Sequence, residues 1–484
     1  MTENRVTRRC FIGAAAAGVA GVATGAMRLD GAPRLKVGVV SDIHVSVSSA
    51  GGKTSNGKFI KALEFFRDQN VDAVIVAGDL TNYGLMKELR GVAEAWYSVF
   101  PGDKGADGRK VERIFVTGNH DTFFYRWQKS SKSPRVKEAQ EEGLYRDLDA
   151  YWRELFNEPF EPIYLRKVKG YSFVGAHWDE HFDGRLEAFL QNRRVDLPAD
   201  KPFFYIQHAH PKNTVFGPWA WGAWDDHGAA RAALGKYPNA VAFSGHSHWS
   251  LTDERNVWQG EFTSVGTASL SYCSLPHGRE NGGTEASGYY RRLPSVPGGR
   301  AQQGMVMSVW DDAVVLARYD MANLEKIDED WTLPILRGPS VKRTHAHAAR
   351  AELVAAPQFP EGAKLDISWT KGKDAAGAEE DRLVVSFPAP PSTGWRDRIF
   401  DYEVRIEIEE DDTVRPWATK RVYPTEPFRS VKYLPKDGKC VFGACELPAI
   451  RNGWAPDPYL RVVVTPYNCF GKAGRPLKAL YRAK

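Results

Sequence analysis

Five short groups of metal-binding side-chain types recur along the first half of the chain. Each group contains aspartate, histidine or asparagine, and each follows directly on a run of apolar residues. The groups are Asp42-Ile43-His44, Gly78-Asp79, Gly118-Asn119-His120-Asp121, His208-Ala209-His210 and Gly245-His246-Ser247-His248. Carboxylate, imidazole and amide donors without a thiolate favour Mn, Fe, Zn, Co or Ni over a structural zinc site built from cysteines.

The apolar runs before these groups predict buried β-strands. They lie in the segments 35–46, 71–84, 113–124, 201–211 and 239–250. Helix-like segments alternate with them through residues 35–320, which is typical of an α/β sandwich. Open α/β sheets bind ligands at the carboxyl ends of their strands, so the five groups are expected to meet in one polar site.

The number of candidate ligands exceeds what one ion needs. Six of the chain's 12 histidines fall at these strand ends, and a packed core would not hold so many ionisable groups together. Two ions about 3.5–4 Å apart, bridged by a carboxylate, would use them.

In these motifs and their order, residues 34–335 resemble the calcineurin-like metallophosphoesterases. The resemblance assigns three side chains to a first metal ion, namely Asp42, His44 and His248. It assigns three others to a second metal ion, namely Asn119, His208 and His246. It further implies that Asp79 bridges the ions, that His120 is catalytic beside them, and that Asp121 orients His120.

The resemblance implies a phosphate ester as substrate and two divalent or trivalent metal ions, most often Mn, Fe or Zn. A metal-bridged hydroxide would attack phosphorus, and His120 would assist the leaving group. Phosphodiesterase, phosphomonoesterase, nucleotidase and pyrophosphatase activities all stay open at this point. The alternative is a non-catalytic exported binding protein with a relic metal site.

Two nearby residues, His210 and Tyr83, are alternative candidates for metal ligands. The strand-end position favours His208 over His210 as a ligand, and His210 is left as a substrate contact or a loop histidine. Purple acid phosphatases replace the first-motif histidine and use a tyrosine soon after Gly-Asp. Here His44 is present and Tyr83 lies one residue too far from Asp79, so a purple iron site is not expected.

The first 30 residues resemble an export signal. A basic region precedes an Ala/Gly-rich stretch, and the segment 7–12, which contains Arg8-Arg9, is similar to a twin-arginine signal. An ordinary secretory signal is the alternative. Because no other long apolar run occurs, we expect a periplasmic or secreted protein with no transmembrane anchor.

The pattern of the chain changes after residue 335. Residues 336–362 form a Pro/Ala/Arg-rich linker, and residues 363–484 show short alternating strands that resemble a fibronectin type III-like sandwich. The predicted fold is therefore an α/β sandwich metallophosphoesterase domain, 34–335, followed by a smaller all-β sandwich domain. The second domain is expected to brace the first, or to dock a partner or glycan.

The net charge, the tryptophans and the cysteines give further expectations about partners and stability. The formal net charge of +5 is too weak to indicate a nucleic-acid scaffold as partner. Three tryptophans between the fourth and fifth motifs could stack on substrate or pack against the next domain; they are Trp219, Trp221 and Trp224. A disulfide among Cys440, Cys445 and Cys469 would suit an oxidising compartment.

Overall fold

The computed structural model describes most of the chain outside the first 28 residues. The described residues are 29, 31–48, 52–122, 134–178, 184–216, 226–273, 301–338, 340–374, 376–410, 413–443, 446–447 and 459–482. The predictions for the export signal, the three tryptophans of 219–224 and Cys445 lie outside these residues. Among the described residues, no helix combines the length and hydrophobicity needed to cross a bilayer.

Thirteen strands belong to the described α/β region. They are β1 (Leu35–Val40), β2 (Ala73–Ala77), β3 (Glu112–Val116), β4 (Ile163–Val168), β5 (Tyr171–Ala176), β6 (Phe203–Ile206), β7 (Ala240–Ser244), β8 (Val257–Gln259), β9 (Thr263–Gly266), β10 (Gln303–Val309), β11 (Ala313–Asp320), β12 (Glu325–Lys326) and β13 (Trp331–Pro334). They form two sheets. One has the order β12-β11-β10-β1-β2-β3 with β13 also paired to β11, and the other has the order β4-β5-β6-β7-β9-β8.

The helices of the described chain lie mainly in the same region. They are α1 (Gly57–Asp68), α2 (Met86–Val99), α3 (Asn119–Thr122), α4 (Pro134–Glu142), α5 (Leu148–Phe156), α6 (Arg185–Asn192), α7 (Ala229–Leu234) and α8 (His347–Leu353). Short 3₁₀ turns occupy Pro101–Asp103, Leu144–Arg146, Arg194–Asp196, Glu254–Asn256 and Val431–Tyr433.

Successive side chains of a strand point to opposite faces of its sheet, so each strand contributes to two separate buried clusters. Val37 and Val39 of β1 join one buried cluster with Phe204 and Phe243 of the second sheet, whereas Val40 faces the helices. The helices α1, α2 and α5 cover the outer face of the first sheet, and α6 and α7 cover that of the second. The parallel pairs β1–β2, β2–β3, β5–β6 and β6–β7 thus direct their carboxyl ends to the predicted motifs. The mixed α/β class predicted for this region is confirmed.

The C-terminal part adds separate all-β sheets, as expected. Its strands are β14 (Asp366–Lys373), β15 (Glu379–Pro388), β16 (Asp401–Glu410), β17 (Thr413–Val422), β18 (Asp437–Gly443), β19 (Tyr459–Tyr467) and β20 (Leu477–Arg482). The sheet orders are β14-β15-β18 and β17-β16-β19-β20, and all the pairs are antiparallel. Leu383 and Phe442 of the first sheet share a buried cluster with Val404 and Val462 of the second.

Two of the cysteines considered for a disulfide are free. Cys440 and Cys469 are buried thiols without a disulfide. Because any pairing among the three C-terminal cysteines would require at least one of these two, the expected disulfide is not formed.

The all-β part packs against the α/β region at Trp249, the residue directly after the fifth motif. The Trp249 ring centroid lies 5.5 Å from that of Phe428 and 6.2 Å from that of Phe400. Gln303 Nε2 also donates a hydrogen bond to Phe428 O at 2.5 Å. Connecting segments of the C-terminal part therefore reach the chain directly after His246 and His248.

A buried ion cluster joins the predicted linker to the α/β region. The Glu254 carboxylate accepts hydrogen bonds from Arg318 Nη1 at 2.9 Å, from Trp331 Nε1 at 3.1 Å and from Arg350 Nε at 2.8 Å. Arg350 lies on α8, so part of the segment predicted as a linker is a docked helix. Burial opposes ionisation of Glu254, but the charges of Arg318 and Arg350 outweigh it and lower the pKa below 4.5.

Glu254→Ala is expected to lower the free energy of unfolding by about 3–5 kcal/mol, because it leaves two buried arginines without their anion. The matched control is Glu261→Ala, whose exposed pair with Arg231 should contribute only about 0–1 kcal/mol. Urea unfolding would measure both, and equal midpoints would refute the role of the cluster. The stabilisation from Glu254 is present above pH 4.5 and is lost as the pH falls through its lower folded-state pKa.

Candidate metal centre

The loops that follow the strands of the two sheets meet through their own hydrogen bonds. Within the first sheet, Asp42 N donates to Gly78 O at 2.9 Å, and His44 N donates to Asp79 O at 3.0 Å. Between the sheets, His246 N donates to the Asp42 carboxylate at 3.2 Å. The predicted meeting of the motifs at one edge is thus observed.

Four of the predicted ligands form a compact buried cluster. Asp42, His44, Asp79 and His248 each offer a ligand atom, and these atoms lie within 4.8 Å of one another. His248 Nε2 lies 3.1 Å from Asp42 Oδ1 and 3.3 Å from His44 Nε2. Carboxylate oxygens and imidazole nitrogens converging at such distances are the donor set of a divalent metal site.

The remaining predicted ligands adjoin this cluster through Asp79. Asp79 Oδ2 lies 3.6 Å from His44 Nε2 and 3.2 Å from His208 Nε2. On the far side of His208, Asn119 Oδ1 lies 3.0 Å from Nε2, and the ring centroid of His246 lies 5.1 Å from that of His208. One oxygen of Asp79 therefore stands between the two predicted sets.

The backbone holds two of the imidazoles in the orientation that a metal site requires. His248 Nδ1 donates a hydrogen bond to Tyr272 O at 2.9 Å, and His208 Nδ1 donates to Ala77 O at 2.8 Å. A carbonyl oxygen only accepts, so Nδ1 of each ring carries a proton, and Nε2 is the atom that would offer a lone pair to a metal ion once it is deprotonated. This arrangement fits a bound cation.

Five of the seven predicted metal ligands have left-handed backbone conformations. Their φ values are positive, at 50° for Asp42, 46° for His44, 52° for Asp79, 68° for His246 and 52° for His248. Such conformations are strained for residues with a Cβ, and strain of this kind is concentrated at functional sites.

Close packing explains the glycine that precedes several ligands. A Cβ at Gly118 would collide with Asp79 Oδ1, and a Cβ at Gly245 would collide with Asp42 Oδ2. Glycine therefore lets the carboxylates approach the neighbouring loop.

The buried carboxylates favour positive charge in the centre. Burial opposes ionisation of Asp42, but His248 and His208 outweigh it and lower its pKa to about 2. Burial likewise opposes protonation of His208, but Asp79 and Asp42 outweigh it and raise its pKa to about 9. Burial lowers the pKa of His44 to about 3, so this ring is neutral and can offer a lone pair. Anions buried in this way require a cation beside them.

His120 stands next to the cluster. Its ring centroid lies 4.6 Å from that of His44, edge to face, and its Nδ1 donates to Asn82 O at 2.9 Å. Its backbone N–H donates to Asp79 Oδ1 at 2.9 Å. The residue thus supports Asp79 through its backbone and presents its ring beside the centre.

The Asp121 carboxylate binds the backbone of two neighbouring loops. Its carboxylate accepts hydrogen bonds from Gly118 N at 2.7 Å, from Thr81 N at 2.8 Å and from Leu80 N at 3.2 Å. The His120 ring donates from Nδ1 to Asn82 O, and the role of Asp121 in orienting this ring stays a prediction. Asp121 therefore ties together the loops after β2 and β3, because its oxygens are occupied by their backbone.

The His210 ring forms hydrogen bonds with two serines in and next to the fifth motif. It is buried, and its Nδ1 and Nε2 atoms lie 2.6 Å from Ser244 Oγ and 2.8 Å from Ser247 Oγ. Burial and the nearby charge of His208 lower its pKa to about 3, so the ring is neutral. Both ring nitrogens are thus used to hold the loop around His246, whereas His208 faces the centre.

His210→Ala is expected to weaken metal affinity by about 10–100-fold, the loss typical for a residue that orients ligands. A metal titration of stripped protein would measure it. The conservative variant His210→Gln should regain part of the affinity through hydrogen bonds to the same serines. Equal affinity of the alanine variant and the parent protein would contradict the role.

Aromatic side chains outside the five motifs also line the centre. Trp178 follows β5, and its ring centroid lies 5.7 Å from that of His208 and 5.8 Å from that of His246. The Tyr272 centroid lies 4.4 Å from that of His248. His177-Trp178 shows the same strand-then-polar signal as the five motifs, whereas Tyr272 has no such signal.

Comparison with known proteins agrees with this geometry. The family model of the calcineurin-like phosphoesterases matches residues 35–250, which contain all five motifs. This part of the chain is therefore a calcineurin-like metallophosphoesterase domain, with an Asp/His cluster suited to divalent metal ions. No curated protein matches the chain.

Two solved structures show a remote likeness. A conserved uncharacterized protein from Streptococcus pneumoniae TIGR4, titled a predicted phosphoesterase, is 13% identical with a TM-score of 0.27, and the match covers 62% of this chain and 97% of that one. Vacuolar Protein Sorting 29 from Cryptosporidium parvum is 10% identical with a TM-score of 0.28, over 62% of this chain and 96% of that one. At these TM-scores neither likeness adds to the assignment.

Proposed function

We propose that the protein is an exported dinuclear metal-dependent phosphoesterase that hydrolyses phosphate mono- or diesters. The observation that carries the proposal is the buried cluster of Asp42, His44, Asp79 and His248, whose ligand atoms lie within 4.8 Å of one another. The family match supports the reaction class.

Two metal sites are proposed around Asp79. Asp42, His44 and His248 would hold the first ion. Asn119, His208 and His246 would hold the second. Asp79 would contribute to both sites, since its Oδ2 lies 3.6 Å from His44 Nε2 and 3.2 Å from His208 Nε2. Mn, Fe and Zn fit the nitrogen and oxygen donors.

The proposed chemistry divides between the ions and His120. Metal ions in such a centre neutralise phosphoryl charge and lower the pKa of bound water towards about 7. The His120 ring, oriented through Nδ1 by Asn82 O, would hold a proton at Nε2 for the departing oxygen. The hydrogen bond from His120 N keeps Asp79 Oδ1 in place while the ring acts.

The layout of the whole chain is part of the proposal. We assign residues 1–30 to a twin-arginine-type signal, 34–335 to the metallophosphoesterase domain, 336–362 to the linker and 363–484 to a fibronectin type III-like domain. The buried clusters shared between facing sheets support a sandwich arrangement in both domains.

The test uses mature protein that is stripped of metal and reconstituted with Mn, Zn or Fe. Initial rates would be compared for a nitrophenyl phosphomonoester and a bis-nitrophenyl phosphodiester, with Asp42→Asn as the negative control. Metal-dependent hydrolysis of either ester supports the proposal, and the ratio of the rates assigns the ester class. Two bound metals per chain without turnover of either ester would favour a binding protein with a relic metal site.

A further inference from the structure

Tyr272 is an exposed side chain on a rigid part of the metal centre. Its exposed fraction is 42%, whereas the adjacent Cys273 is fully buried. Its backbone is fixed on both sides, because Tyr272 N donates to Ser269 Oγ at 3.1 Å and Tyr272 O accepts from His248 Nδ1 at 2.9 Å. The preceding Ser271 N donates to Asp42 O at 3.1 Å. The backbone around Tyr272 is therefore fixed to two predicted ligands, Asp42 and His248.

The ring of Tyr272 lies along the first-metal side of the centre. Its centroid is 4.4 Å from that of His248 and 6.3 Å from that of His44, with the latter pair nearly parallel. The two imidazoles themselves converge, since their Nε2 atoms are 3.3 Å apart. A group bound at those nitrogens would thus lie beside the phenol.

Within the part of the chain that the structure describes, the phenol hydroxyl makes no hydrogen bond, although the backbone N and O of Tyr272 both do. A phenol both donates and accepts, so this hydroxyl is available to a bound ligand. A phosphoryl group brings negatively charged oxygens, which are the strongest acceptors for such a donor.

We infer that Tyr272 is a substrate-contacting residue whose hydroxyl donates a hydrogen bond to a non-bridging phosphoryl oxygen on the His44–His248 side. The inference rests on the proposed function, because it needs a phosphoryl group at that centre. It adds a substrate contact that lies outside the five motifs and outside residues 35–250. Since the contact is made to the phosphoryl group itself, it serves monoesters and diesters alike.

The experiment measures the binding of inorganic phosphate to the full-length, Mn-loaded protein by titration calorimetry. Tyr272→Phe removes only the hydroxyl and should weaken phosphate binding by about 10–100-fold, the usual range for a hydrogen bond to a charged group. Its metal content should equal that of the parent protein. The matched control is Tyr237→Phe, at a half-buried tyrosine that precedes β7 at the opposite end of that strand, and it should change nothing.

The outcomes separate this inference from the proposed function. Equal phosphate affinity in Tyr272→Phe and the parent protein would overturn the contact, as would a parent protein that binds no phosphate. Loss of metal in Tyr272→Phe would also overturn it, because the residue would then act by holding His248. Weaker phosphate binding in the variant, with no ester hydrolysed by the parent protein, would support the contact and refute the proposed hydrolase.

Discussion

Asp79→Ala is expected to abolish stoichiometric metal binding, with fewer than two ions retained per chain after gel filtration. Asp79 Oδ2 lies 3.6 Å from His44 Nε2 and 3.2 Å from His208 Nε2, so the substitution removes the only predicted ligand shared by both sites. It also removes one of the two buried carboxylates that would offset the charge of bound metal ions. The loss should exceed the about 10–100-fold weakening expected for residues that merely support a ligand.

Elemental analysis of the purified variant would measure this loss directly. The matched control is Asp311→Ala, which removes an exposed carboxylate paired with Arg34 and should leave the metal content unchanged. Two ions per chain in Asp79→Ala would show that the bridging assignment is wrong, whatever the effect on turnover.

His120→Ala is expected to keep both metals and lose about 10²–10⁴ in turnover of an alkyl phosphate ester. An alkoxide leaves poorly unless it is protonated, and His120 is the ring placed to supply the proton. The alanine variant keeps the backbone N–H that donates to Asp79 Oδ1 at 2.9 Å, so the metal site should survive. Steady-state rates and metal content would be measured on the same preparation.

The leaving group provides the internal control for this variant. A nitrophenolate departs without a proton, so hydrolysis of the nitrophenyl ester should fall much less than that of the alkyl ester. An equal loss on both esters would exclude proton donation. Undiminished turnover of the alkyl ester would exclude any catalytic role for His120.

The ligand-bearing motifs could be predicted because their signal is local. A buried strand followed by Gly-Asp or Gly-His is visible in the sequence, and parallel strands must bring their carboxyl ends to one edge. In the sequence, only the strand-end position favours His208 over His210 as a metal ligand. What separates the two is hydrogen bonding, since His210 is held by Ser244 and Ser247 from another strand end.

Other contacts could not be predicted because they use atoms or partners without a sequence signature. The carbonyl of Asn82 orients His120, and any residue could supply that carbonyl. Tyr272 meets His248 only because the chain returns after β9, 24 residues later. Helix α8 lies in a segment predicted as a linker. Its Arg350 pairs with Glu254, which is 96 positions earlier in the chain, so the sequence gives no local sign of the contact.

The contact of Trp249 with Phe400 and Phe428 has a consequence for the order of events during synthesis. His248 leaves the ribosome long before the residues that pack against the next position in the chain. At about 5–20 residues per second, the 179 residues from 250 to 428 take on the order of ten to forty seconds. During that interval the loop lacks its final packing, so the nascent chain should acquire metal firmly only when translation is almost complete.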